Sequence, residues 1–280
     1  MSAASRFSLN QATVKLADLA TAVRVTVDAG IPAIGLWREP VQEVGGERAA
    51  RLVRDAGLRV SSLCRGGFFT LPDGPERRAA LDDNRRAIEE AAALEAPALV
   101  LVAGGLPAGS RDLVGARSRV AEALDALAPD AAAAGVSLAI EPLHPMYAAD
   151  RAVVSTLGQA LDLAAPFDPA VVGVVVDTFH VWWDPDLAAQ IARAGREARI
   201  ASYQVCDWVT PIAADPLLSR GIPGDGHIDF ASITRMVRDA GYAGDVECEV
   251  FRQDVWDDDP AAVAVRSLDA YERLVEPSLS

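Results

Sequence analysis

Short apolar runs rich in Val, Ile and Leu alternate along the whole chain with longer stretches in which apolar residues recur every three to four positions. The first pattern marks strands buried on both faces, and the second marks amphipathic helices packed against a sheet. Strands are predicted near Phe7 to Leu9, Ala33 to Trp37, Arg59 to Cys64, Ala98 to Val102, Ser137 to Glu141, Val171 to Asp177, Ala201 to Cys206 and Val246 to Phe251. Helices are predicted between them, among others at Leu16 to Ala29, Glu47 to Ala56, Glu76 to Ala93 and Arg111 to Ala134. Several of these stop at Ala-Gly just before the next strand, as at Ala134-Gly135, because glycine accepts the left-handed conformation that ends a helix. Eight strand-helix repeats in 280 residues, with no Pro/Ser/Gly-rich linker, predict one α/β domain over residues 1–280, a parallel (β/α)8 TIM barrel. The alternative is a doubly wound open sheet, but no strand leads into GxGxxG or GxxxxGK[ST].

Composition narrows the function. Half the residues are hydrophobic (51%), enough for a full core. The 40 acidic against 26 basic residues give a formal charge of −14, which argues against nucleic acid and anionic membranes as partners. Cys64, Cys206 and Cys248 are too few and too scattered for a disulfide framework, and no apolar run reaches the roughly 18 residues of a membrane span. A cytoplasmic enzyme of a small molecule is expected, with homo-oligomerisation left open. The chain has one lysine, Lys15, and three histidines, His144, His180 and His227. Acid-base work therefore falls to carboxylates and these few imidazoles.

In such a barrel the carboxyl ends of the strands share the face that carries the active site. Strand five ends at Glu141 followed by Pro142-Leu143-His144, and strand six at Asp177-Thr178-Phe179-His180. Strand seven carries Gln204 and Asp207, and strand eight carries Glu247 and Glu249. If Cys248 and Val250 face the helices, period-two alternation turns both glutamates to the axis, Glu249 nearer the mouth. Taken singly, each acid could as well cap a helix or pair with an arginine. Together, Glu141, Asp177, Gln204 and Glu249 form a mostly oxygen-donor set of charge about −3, with no lysine nearby to balance it. That set suits a hard divalent ion, Mn²⁺ foremost, with Mg²⁺ and Co²⁺ as alternatives. The same face is rich in aromatics (Trp37, Phe68, Phe69, Trp182, Trp183, Trp208) that suit the C–H faces of a ring, and Arg38 or Arg65 is placed to bind hydroxyls or an anionic group. The acidic run Asp257-Asp258-Asp259 with Asp254 reads as a solvated loop and helix start.

Five pieces in this order, Ile140-Glu141-Pro142, Asp177-Thr178-Phe179-His180, Gln204-Val205-Cys206-Asp207, Gly224-Asp225-Gly226-His227-Ile228-Asp229-Phe230 and Val246-Glu247-Cys248-Glu249, resemble the metal-dependent sugar isomerases and epimerases with a xylose-isomerase-like TIM barrel. That group includes inosose-processing enzymes and ketose 3-epimerases. The resemblance implies a metal on Glu141, Asp177, Gln204 and Glu249, where Gln204 replaces a histidine and so weakens preference for zinc-like ions. It implies that Arg220, in Ser219-Arg220-Gly221, reaches substrate, and it sets Asp207 and His227 beside the substrate.

Such an enzyme removes a proton beside a carbonyl and returns it elsewhere or to the other face. A metal on the carbonyl and hydroxyl oxygens stabilises the enediolate, while Glu141 and Glu249 act as base and acid. His180 would hold a substrate oxygen, and His144 would polarise the substrate or shuttle a proton. The expected function is a divalent-metal-dependent isomerase or epimerase of a sugar, keto-sugar or cyclitol. The rival is a lyase or dehydratase on the same site, cleaving a 3-keto-glycoside or C-glycoside or dehydrating an inosose. Further rivals are an apurinic endonuclease, opposed by three histidines and the acidic charge, and a non-catalytic barrel subunit. Lys15 is the only candidate amine for Schiff-base chemistry.

Overall fold

The computed structural model describes residues 6–280. Eight parallel strands close into a barrel: β1 (Phe7–Asn10), β2 (Ala33–Trp37), β3 (Arg59–Gly67), β4 (Ala98–Val102), β5 (Ser137–Glu141), β6 (Val172–Asp177), β7 (Ile200–Val205) and, last in the chain, β10 (Val246–Cys248). Each pairs with its sequence neighbour in the barrel, and β10 closes the ring against β1 and β7. Between β7 and β10 a two-stranded antiparallel ribbon, β8 (Asp207–Trp208) with β9 (Arg220–Gly221), stands over the mouth.

The helices start and stop where local chemistry dictates. Asp18 accepts from the Thr21 N–H at 2.8 Å, so the first α-helix begins at Leu19, three residues later than the hydrophobic pattern alone suggests. Asp112 does the same for the helix Leu113–Ala134, accepting from Gly115. Gly135 ends that helix at φ +68°, with its N–H on the Ala131 and Ala132 carbonyls.

Two strands depart from the sequence reading. β3 runs on to Gly67 through a register shift between Cys64 and Gly66, because buried Asn84 accepts from the Gly67 N–H at 2.6 Å and donates to its carbonyl at 2.9 Å. β10 stops at Cys248, where the chain leaves the ladder: the Val250 N–H turns to Thr13 Oγ1 at 3.0 Å. Glu249 therefore sits just past the strand, at the mouth.

The apolar core divides in two. A large shell lies between the sheet and the helices and includes Leu9, Ile34, Leu124 and Val174. Inside the barrel is a small cluster, Cys64, Ala98, Val100, Ala139 and Val175. The rest of the interior is polar: Ser8, Asn10, Ser62, Asp177, Gln204 and Glu247 are all buried on strands of the barrel. Among the described residues no helix is long and apolar enough to cross a membrane.

Candidate active site

The polar interior opens upward into a cavity of about 660 Å³, within the usual range of small-molecule sites. Glu141, His180, Arg220 and Glu249 line its floor, and Trp37, Phe68, Phe251 and Trp256 line its walls. Strand register explains the convergence. Asp177 pairs with Gln204, and Gln204 pairs with Glu247, so the three side chains share one level of the interior. Glu141 ends β5, and Glu249 lies two residues beyond Glu247 on the same side of the chain.

At the centre of the carboxylates lies Arg220, carried there by the β8–β9 ribbon. Its Nη1 donates to Asp177 Oδ2 at 3.1 Å, to Glu249 Oε2 at 2.9 Å and to the Glu249 carbonyl at 3.2 Å. Its Nη2 donates to His180 Nε2 at 2.8 Å. All of these groups are buried, so their interactions are little screened. The positive charge that lysine cannot supply thus comes from an arginine sixteen residues past Gln204 in sequence. Buried carboxyl groups outnumber the guanidinium, with Glu247 adjoining Glu249, and burial opposes ionisation of Glu141 and Glu249.

The remaining valences point the same way. Among the described residues Glu141 Oε1 and Gln204 Oε1 are buried acceptors with no hydrogen-bond partner, His180 Nε2 standing 3.9 Å from the first. Ligand atoms of Glu141, Asp177 and His180 lie within 4.8 Å of one another. Burial raises the Glu141 pKa well above the usual carboxylate range, and the Asp177 and Glu249 charges push it further. Burial likewise pushes Glu249 up to about 8, with Arg220 opposing and Asp177 and Glu247 reinforcing. Glu141, Asp177 and His180 thus present ligand atoms at a spacing that a divalent cation bridges, and Glu141 Oε1 is free to meet it, so the donor set fits one.

Around His180, Arg220 Nη2 donates to Nε2 at 2.8 Å, Glu141 Oε1 lies 3.9 Å from the same nitrogen, and the His144 N–H lies 3.2 Å from Nδ1. Burial, with Arg220 beside the ring, pushes the His180 pKa well below the ordinary value. Across the mouth, Arg65 is half-buried with its guanidinium over the Phe68 ring at 4.6 Å and the Trp37 ring at 5.8 Å. The Lys15 ammonium sits 4.7 Å from the Trp256 ring. Among the described residues neither cation has an acidic partner, and both line the cavity.

Not every residue singled out from sequence reaches the cavity. His144 packs between Trp183 and Trp208, with ring centroids 5.3 and 5.1 Å away, and burial lowers its pKa. His227 is exposed and meets Thr210 Oγ1 at 3.0 Å. Asp207 is buried as an anchor, accepting the N–H groups of Gly224, Gly226 and Ile228 at 2.8 to 3.0 Å, and so it ties down the ribbon that carries Arg220. Arg38 is engaged by Asp83 and Glu90 beneath the helices. Asp254 and Asp258 pair with Arg252 and Arg266, and Asp259 caps the helix Pro260–Leu274. Sequence reasoning missed Cys64, whose Sγ lies 3.9 Å from Glu249 Oε1, and the ring of Asn10, Ser61 and Ser62 around Glu247. The signal that could have found Asn10, Ser62 and Cys64 was inward register on early strands, which adjacent Ser61 does not share with Ser62.

Comparison with known proteins agrees with this architecture. The xylose isomerase-like TIM barrel family matches residues 23–274. Protein SMc04130 from Sinorhizobium meliloti 1021 is 49% identical over 98% of this chain and 99% of that one, with a TM-score of 0.94. The IolI protein, solved with a bound zinc atom, shares the fold at 19% identity and TM-score 0.85, over 98% of this chain and 99% of its own. The 3-keto-D-glucoside 4-epimerase YcjR from E. coli shares it at 22% identity and TM-score 0.74, over 94% and 97%. No curated protein matches.

Proposed function

The chain belongs to the xylose isomerase-like TIM barrel family, and from that premise we propose that it is a divalent-metal-dependent isomerase or epimerase of a sugar, keto-sugar or cyclitol. The observation that carries this reading is the buried cluster of Glu141, Asp177 and Glu249 around Arg220, with Glu141 Oε1 unpartnered at the floor of an aromatic cavity and Gln204 Oε1 unpartnered on the strand beside Asp177. The neighbouring epimerase and the zinc-bearing IolI protein support it.

Glu141, Asp177, Gln204 and Glu249 would hold the cation, and an all-oxygen donor set favours a hard ion such as Mn²⁺ or Mg²⁺. When bound, the cation supplies Lewis acidity that stabilises charge developing on the carbonyl oxygen. Glu141 and Glu249 would help to hold the cation, and they are the groups that exchange a proton with substrate carbon, Glu249 with its Oε2 receiving the Arg220 N–H. Burial raises the proton affinity of both, which favours taking a proton from carbon and giving it back. Neutral His180, gripped by Arg220, accepts a hydrogen bond and fixes the guanidinium, whose spare N–H groups reach a substrate oxygen. Trp37 and Phe251, at 5.5 Å between ring centroids, form an apolar wall for the C–H face of a ring. Arg65, stacked over Trp37 and Phe68 at the cavity wall, offers its guanidinium donors to hydroxyls or an anionic substituent.

The test is exchange of substrate C–H for deuterium across ketoses, inososes and 3-keto-glycosides, with and without chelator. At least one class should exchange, and chelation or Glu249→Gln should stop it. Exchange unaffected by both, or none with any polyhydroxy ketone, would defeat the reading. A product that has lost a β-substituent would assign the site to a lyase instead.

A further inference from the structure

Beneath the cluster, Glu247 is fully buried and is held by four neutral donors. Oε1 accepts from Asn10 Nδ2 at 2.6 Å and from Gln204 Nε2 at 2.9 Å. Oε2 accepts from Ser61 Oγ at 2.5 Å and Ser62 Oγ at 2.8 Å. The place is built for it: a Cβ on Gly35 would lie 2.6 Å from the Glu247 carboxyl carbon.

The direction of these bonds is fixed from one end. The Trp37 indole N–H and the Ala12 backbone N–H can only donate, and both point to Asn10 Oδ1, at 2.9 and 2.8 Å. Asn10 must therefore turn its Nδ2 to Glu247, which accepts. The same Glu247 oxygen then demands the N–H side of Gln204, and Gln204 Oε1 is left over, buried and without a partner among the described residues. Gln204 stands in register between Glu247 on one side and Asp177 on the other.

We propose that Glu247 is a positioning residue that locks the Gln204 amide with its oxygen, not its N–H, toward the cation. This rests on the proposed cation at the carboxylate cluster. A flipped amide would aim two N–H dipoles at a positive ion. The same hydrogen-bond relay holds Trp37, so one buried carboxylate sets both the floor donor and an aromatic wall of the cavity.

The experiment compares Mn²⁺ binding to the metal-free protein, followed by the electron paramagnetic resonance of free Mn²⁺, for wild type, Glu247→Gln and Glu247→Leu. Both variants lose the same charge. Gln at 247 still offers an oxygen to Asn10 and Gln204 and its amide to the serines, whereas Leu offers nothing. Groups that orient a ligand are worth about 10–100-fold in metal affinity, so Glu247→Gln should bind Mn²⁺ at least about tenfold more tightly than Glu247→Leu. Adding Gln204→Leu to both should erase that difference. Equal affinity of the two single variants, or a difference that survives Gln204→Leu, overturns the inference. Should Glu247→Leu not fold, anomalous scattering from Mn²⁺-loaded wild-type crystals decides: an ion in the cluster that lacks Gln204 Oε1 as a ligand overturns it. A wild type that binds no Mn²⁺ overturns the proposed function, and this inference with it.

Discussion

Replacing Arg220 with methionine should move stability and cation affinity in opposite directions. The substitution keeps a long unbranched side chain and removes a buried charge that bonds Asp177, Glu249 and His180. The side chains of Arg220, Asp177 and Glu249 are 2%, 0% and 5% exposed, so solvent offers almost no relief. Removing one partner of a buried pair costs about 3–5 kcal/mol, and at about 2–4 °C per kcal/mol this is on the order of 10 °C in unfolding midpoint with chelator present. The cluster meanwhile loses the one positive charge that opposes a cation there. A guanidinium and a dication repel by about 4 kcal/mol even at about 8 Å and an effective dielectric of about 20, which is an upper bound. Mn²⁺ affinity should therefore rise at least about tenfold, and Mn²⁺ at about a hundred times its Kd should return about 2.7 kcal/mol of the lost stability. Scanning calorimetry with chelator and with Mn²⁺, and calorimetric titration of Mn²⁺, read both effects. Turnover should fall, since the group that grips His180 and reaches substrate is gone. A variant that melts with wild type in chelator, or binds Mn²⁺ more weakly, refutes the account of Arg220 as an internal counter-charge.

Other expectations follow from the same geometry. Glu249, held up to about 8 by burial with Asp177 and Glu247 beside it, is protonated more readily folded than unfolded, so its stabilising contribution is lost as pH rises toward 8. Between pH 6.5 and 8, above the range where buried neutral His180 contributes, the chelated protein should melt progressively lower and Glu249→Gln should flatten that slope; equal slopes would contradict it. Asp207→Ala removes the acceptor for three loop N–H groups, and should cost about 2–4 kcal/mol and reduce turnover through misplacement of Arg220; urea unfolding with undiminished stability would refute the anchoring role. Lys15→Arg keeps a cation over Trp256 and should leave turnover within about threefold, whereas abolished turnover would indicate amine chemistry.

The barrel was legible because its strands are runs of buried type and its helices carry caps and terminal glycines, all local signals. Glu141 and Asp177 were legible for the same reason: each is an acid that ends an apolar run, and Glu249 followed from alternation across Cys248. Arg220 was visible only as an arm reaching substrate. Its place between Asp177 and Glu249 depends on the pairing of Asp207–Trp208 with Arg220–Gly221 across a long loop, and on Asp207 serving backbone N–H groups rather than a ligand. Charge counting failed at that point because it looked for lysine and left arginine out. The surroundings of Glu247 were illegible because Asn10, Ser61 and Ser62 are ordinary polar residues on distant strands, and only closure of β1 onto β10 makes them neighbours.

The split between a large apolar shell and a small inner cluster has a consequence for how this molecule can change. Cohesion between sheet and helices resides in the shell, while Cys64, Ala98, Val100, Ala139 and Val175 are too few and too small to carry the fold. Substitutions on the barrel axis therefore act first on charge balance and hydrogen bonding, and only secondarily on the apolar interior. Chemistry can be revised inside such a container without dismantling it, provided that each revision leaves the sum of buried charges and the pairing of buried polar atoms intact. The interior accepts change in matched sets of residues, and the lineage of such a site should advance by compensated pairs instead of single steps.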